Sequence, residues 1–153
     1  NIMANINRDT VERMRALLAS WTVFYQQAHV FHWNIVGPSF NELHKLLEEL
    51  YNEAVSNSDS VAERIRQLGY PIHLTLPEAA SLSEVEGSQD ATEPRAMIEA
   101  TLISLIQLTN LQNEIYSDAN EQNDYVTADL MTQLSKWNEL KSWFLTAWTQ
   151  DKI

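Results

Sequence analysis

Residues 31–69 read FHWNIVGPSFNELHKLLEELYNEAVSNSDSVAERIRQLG, and the way this stretch folds decides the rest of the chain. Gly37-Pro38 breaks the element before it, since proline has no amide hydrogen to give and glycine accepts turn geometry. Ser39 is a natural N-cap, and Glu42 three residues later completes a capping box. Apolar residues then recur at Leu43, Leu46, Leu47, Leu50, Ala54, Val61, Ile65 and Leu68, until Gly69 and Pro71 stop the pattern. That spacing predicts one long amphipathic helix.

The polar residues of the same stretch are metal-ligand types. His32 and His44 lie twelve positions apart, and Asp59 and Glu63 follow at a spacing of four. Imidazole suits iron, zinc or copper, and carboxylate adds the hard oxygen that iron accepts. His44 and Glu48 share one helix face at i and i+4, as do Asp59 and Glu63. Along one helix, however, His44 and Asp59 stand roughly 22 Å apart at about 1.5 Å per residue. They cannot hold one metal in a single copy. Two copies crossing antiparallel about a two-fold axis would bring His32, His44 and Glu48 of one chain to Asp59 and Glu63 of the other. Such an isologous pairing makes two equivalent intersubunit sites. On the residues alone, a metal role for His32 and its use as an ordinary hydrogen-bonded histidine are evenly balanced.

His32-Trp33-Asn34 with Gly37, then Phe40 and Leu43-His44, then Asp59-Ser-Val-Ala-Glu63-Arg64 and Leu68-Gly69 resemble the signature of the Dps-type mini-ferritins. Asp124-Tyr-Val-Thr127-Ala-Asp129-Leu130 and Glu139 with Trp143 are similar, more loosely, to the last helix of that family. The resemblance implies a ferritin-like, all-α four-helix subunit in a hollow dodecamer built from two-fold dimers. It also implies a two-iron ferroxidase centre at each dimer interface, which oxidises Fe(II) with hydrogen peroxide or oxygen and stores ferric mineral. On this reading His32, His44, Glu48, Asp59 and Glu63 bind iron, and Trp33 donates an electron when only one iron is present. Members of the family commonly carry a carboxylate, often the shorter Asp, where Glu48 stands. Aspartates near the start of the last helix line the family's iron-entry pores, which assigns that role to Asp124 and Asp129 with Glu121. A solvated helix start complementing the macrodipole explains the same three acids.

The rest of the chain fits one domain. A length of 153 residues suffices for a proper core, and three glycines with four prolines favour long helices over a turn-rich β fold. Cysteine is absent, which excludes disulfides, zinc-cysteine sites and thiol chemistry. No apolar run is long enough to span a membrane, and no signal-like segment appears, so a cytoplasmic location is expected. The first helix should run from Asp9-Thr10 to Ile35, with residues 1–8 as a short tail. A connection from Gly69 to about Ala91 should hold a short helix between Thr75 and Val85, giving a bundle with a long crossover. A third helix should begin at Thr92 or Glu93, its core face including Ile115 and Tyr116. A fourth should start after Asn123 and run to Thr149, with Leu130, Leu134, Trp137, Phe144, Leu145 and Trp148 facing inward. His29 reads as a hydrogen-bonded structural histidine and His73 as structural or solvated. Glu-x-x-His occurs nowhere in the chain, which disfavours an ordinary ferritin centre inside one bundle.

The formal net charge is −11, which repels a polyanion and concentrates cations. Residues 1–7 carry no lysine, so no direct DNA binding is expected; a start at Asn1 reads as a trimmed end and leaves a longer natural tail open. Two other readings stay open beside iron oxidation: a DNA-protecting nucleoid protein, and a non-redox helical shell whose site binds zinc. Separately, Asp59 and Glu63 have a structural alternative, pairing with Arg64 or Arg66 across an interface.

Overall fold

The structure is a computed structural model, and it describes residues 6–150; the proposed tail falls mostly outside them. Its elements in order are α1 (Arg8–Asn34), α2 (Phe40–Gln67), a short α3 (Leu76–Leu82), α4 (Pro94–Glu121) and α5 (Tyr125–Thr149), and the described residues form no strand. Asn7 caps α1 by accepting from the Thr10 amide at 2.9 Å, and Thr75 does the same for α3 from Glu78. Pro94 stands in the first turn of α4, where its missing amide hydrogen costs nothing.

The expected capping box does not form. Ser39 is the N-cap residue of α2, but its side chain makes no cap bond. The Phe40 amide donates to the Gly37 carbonyl at 3.0 Å, closing a tight turn. That turn holds Ser39 at φ −97° and ψ 17°, away from the extended backbone that aims an N-cap hydroxyl at the first turn.

α1 and α2 form one antiparallel pair, and α4 and α5 a second, reversed at Asn123 with φ 60°. Gln27 of α1 accepts from Ser104 of α4 at 2.6 Å, and Arg13 faces Asp118 at 3.1 Å, so these two helices also run antiparallel. The crossover from Leu68 to Glu93 passes over α1. Arg15 ties it down through the His73 carbonyl and the Glu78 carboxylate, and Ser20 accepts from the Glu84 amide. Gly87, at φ +64°, lies so close to the Val23 side chain that a Cβ there would collide with it.

Met14, Leu17, Trp21, Phe24, Ala28 and Phe31 of α1 meet Leu47, Leu50, Ala54, Val61 and Ile65 of α2 in the core, with Leu105, Leu108 and Ile115 opposite. Two expected core residues are outside it: Tyr116 and Phe144 are both exposed. On α5 the buried stripe runs through Met131, Leu134, Asn138, Lys141 and Leu145, which turns position 144 outward. Lys141 takes the inner position by pairing its ammonium with Glu49 at 3.1 Å, with the Phe144 ring centred 5.2 Å away.

Candidate metal centre

His32 lies in the last turn of α1, where backbone carbonyls lack helical partners. His44 lies in the second turn of α2. The two are bound reciprocally: His32 Nδ1 donates to the His44 carbonyl at 2.7 Å, and His44 Nδ1 donates to the His32 carbonyl at 2.8 Å. A carbonyl oxygen can only accept, so each proton sits on Nδ1. Both Nε2 lone pairs are left for a ligand, and each ring is fixed by its second nitrogen as in metal-binding histidines generally.

Aromatic rings hold this pair in place. The imidazoles stack at 3.7 Å between centroids and 14° between planes. Phe40 stacks on His44 at 4.8 Å, and Tyr51 presents its edge to His32 at 5.2 Å. Phe40 and Tyr51 stand four before and seven after His44, on its own face of α2, a spacing that the sequence carries. Desolvation pushes the Tyr51 phenol up, with the Glu48 carboxylate and then Tyr25 adding to the effect. His29 lies tilted between Trp33 at 4.1 Å and Tyr51 at 4.4 Å; ring contacts, and not the expected hydrogen bond, hold it among the described residues. His73 is exposed and contributes its carbonyl to Arg15.

Glu48, Asp59 and Glu63 all lie exposed on α2. Fifteen residues at 3.6 per turn return Asp59 to within about 60° of His44 around the helix. Asp59 borders a groove with Leu18, Val55, Ser56 and Ala62, while Glu63 borders another with Gln67 and Asp129. The separation along α2 keeps histidines and acids apart, and among the described residues no three His, Asp or Glu side chains cluster to hold a metal within one chain. Trp33, Val36 and Phe40, near the histidine pair in sequence, are exposed apolar residues, and Val55 lies one turn before Asp59.

The three acids at the head of α5 have separate fates. Asp124 is only 1% exposed. Its Oδ1 accepts from Arg64 Nη2 at 2.8 Å and from the Thr127 amide at 3.1 Å, and its Oδ2 accepts from the Thr127 hydroxyl. Arg64 also donates through Nε to Thr127 and through Nη1 to Gln67. Asp124 is therefore the cap of α5 and the partner of a buried guanidinium, which withdraws it from the pore assignment. Glu121 and Asp129 are exposed. Arg64, spent on Asp124, is likewise withdrawn from pairing Asp59 or Glu63 across an interface. Isolated sequence positions hid this pairing because Arg64 and Asp124 are 60 residues apart.

A family model described as a ferritin-like domain matches residues 11–152. An uncharacterised protein of Haemophilus influenzae is 34% identical over 91% of this chain and 87% of its own length. The DNA protection during starvation protein of Brevibacillus brevis is 33% identical over 87% of this chain and 89% of its own. Among solved structures, Dps from Staphylococcus aureus superposes with a TM-score of 0.91 at 28% identity, covering 97% of this chain and all of that one. The DPS protein of Vibrio cholerae, described as a member of a broad superfamily of ferritin-like diiron-carboxylate proteins, gives 0.89 at 28% over 98% and 99%. With its bundle, its crossover helix and this agreement along nearly its whole length, the chain belongs to the ferritin-like family, within its Dps branch.

Proposed function

We propose that this protein oxidises ferrous iron at centres shared by two copies and stores the ferric product inside a closed dodecamer of two-fold dimers. The reciprocal anchoring of His32 and His44 carries the reading: two nitrogen donors are set beside each other, with neither Asp59 nor Glu63 of their own chain within reach along α2. Asp59 and Glu63 of the partner subunit supply the carboxylates, and Glu48 adds a nearer oxygen. The donor set suits iron, since imidazole tolerates Fe(II) and the carboxylates stabilise the higher charge of Fe(III). Trp33, Val36 and Phe40 supply apolar surface for the dimer contact that closes the site.

Two ferrous ions each give one electron to hydrogen peroxide, which takes up two protons and leaves as two waters. Holding two irons together lets the O–O bond break in one two-electron event without freeing hydroxyl radical. Where a centre holds a single iron, the exposed indole of Trp33 gives the second electron. Glu121 and Asp129, outside the buried Asp124 pair, are the acids available to draw ferrous ions toward an opening. Protection of DNA, for which the Brevibacillus relative is named, would follow here from removing iron and peroxide, because a net charge of −11 opposes contact with phosphate.

The test adds about two ferrous ions per subunit anaerobically, one equivalent of peroxide, and follows ferric absorbance beside an Asp59→Ala, Glu63→Ala variant, the dose matching the paired site. Fast oxidation in the native protein, lost in an intact variant oligomer, supports the shared centre. Equal rates would hand these carboxylates a structural role, and metal content after growth on zinc or iron would then decide for the zinc shell.

A further inference from the structure

Among the described residues, five buried side-chain polar atoms have no hydrogen-bond partner: Trp21 Nε1, Asn57 Nδ2, Gln112 Oε1, Asn138 Oδ1 and Asp118 Oδ2. Asp118 Oδ2 still faces the Arg13 guanidinium at 3.1 Å, so four are left with nothing. Each comes from a different helix of the bundle, and their heights can be read from the pairings already given. Gln27 with Ser104 and Arg13 with Asp118 relate α1 to α4 by position numbers totalling 131. Gln112 with Ser135 and Asn138 with Thr109 relate α4 to α5 by a total of 247. His32 with His44 and Tyr25 with Tyr51 relate α1 to α2 by a total of 76.

By those registers Gln112 and Asn57 stand level with residue 19 of α1 and Asn138 with residue 22, bracketing Trp21. The four groups occupy one slice across the bundle, about 5 Å thick at 1.5 Å per residue. All lie on inward faces: Trp21, Gln112 and Asn138 have no exposed surface, and Asn57 sits between the buried Ala54 and Val61. Unpaired buried polar groups are costly, and four in one layer call for a partner.

The chemistry of the slice selects that partner. Two N–H donors oppose a cation, two amide oxygens oppose an anion, and no side chain in the set carries charge. A small neutral molecule that both donates and accepts fits them, as buried waters do with two to four protein partners. We infer that the middle of each bundle is a water-binding site, built from Trp21, Asn57, Gln112 and Asn138. Water there links all four helices at one height, between the apolar layers around Leu17 and Phe24, and so locks their mutual register. Ser135 connects the slice to the outside: its hydroxyl accepts from Gln112 Nε2 at 3.0 Å and it also lines the surface groove between α4 and α5.

A crystal structure of the assembled protein, at a resolution that orders single waters, tests this. Density within hydrogen-bond distance of at least three of the four atoms in every subunit is expected; side chains bonded to one another with no density between them would overturn the site. Xenon gives an independent readout, because it enters dry apolar cavities and not wet polar ones. Native crystals under xenon pressure should show none in the slice, whereas a Gln112→Ala, Asn138→Ala variant, which removes both amides and opens space, should admit it. Xenon in the native slice would show a dry cavity and contradict the proposal even if that variant fails to fold.

Discussion

A histidine that donates through Nδ1 to a carbonyl has only Nε2 left to offer, and both His32 and His44 are in that state. Removing either imidazole should therefore act on iron more than on the fold. We expect His44→Ala to lower the rate of ferrous oxidation at least about tenfold, the lower limit found when even the outer partners of a metal site are lost. An unchanged oxidation trace from an intact oligomer would argue against ligation by His44. Arg64 and Asp124 should behave in the opposite way. Both are buried, and the Asp124→Asn or Arg64→Met change leaves a partner charge stranded, costing about 3 to 5 kcal/mol. Thermal melting should report that loss; a variant melting with the native protein would show that the pair contributes little. The histidines and acids of the candidate centre could be picked out of the sequence by residue type and spacing alone. Burial of Asp124 could not, because an acid at a helix start looks the same whether it faces water or a guanidinium 60 residues away.

The helices themselves were readable, since the 3.6-residue apolar period, Pro94 and Gly69 leave little freedom over where each begins and ends. Faces were harder. Lys141 and Asn138 occupy the inner stripe of α5 where hydrophobic spacing favoured Phe144, because a charge or amide can be buried once Glu49 or Thr109 receives it. The short α3 depends on a salt link that pH can reach. Thr75, then Arg15, hold the Glu78 carboxyl below its usual value of 4.5. A depressed folded value means that the stabilisation is present above 4.5 and is lost as pH falls through the lower folded value. Amide exchange in α3 should therefore accelerate on acidification through that range, and Glu78→Gln should flatten the response. No difference between the two proteins would show that α3 is held by its apolar contacts alone. At Gly87, substitution by alanine meets both a left-handed backbone and the Val23 side chain. It should destabilise by about 1 to 3 kcal/mol, readable as a lower denaturant midpoint.

At the scale of the whole molecule, the proposed centre divides between the histidines and the acids of one chain, and the chain is acidic overall. The sequence could show that the halves were too far apart to meet, but not the reciprocal bonds that prepare one of them, because those depend on how α1 and α2 pack. The charge of −11 predicts that duplex DNA will run unretarded beside this protein at low salt, and a shifted band would contradict that. The proposed sharing across a two-fold axis has a more direct consequence. A variant lacking both histidines, His32→Ala with His44→Ala, and one lacking both acids, Asp59→Ala with Glu63→Ala, should each be inactive. Refolded together in equal amounts, they should recover activity, because every mixed dimer pairs the intact histidines of one chain with the intact acids of the other. Random pairing makes half the dimers mixed, each with one complete site of two, so about one quarter of native ferrous oxidation should return. A mixture as inactive as its two components, with mixed dimers demonstrated, would place the chemistry within single chains and contradict the shared centre.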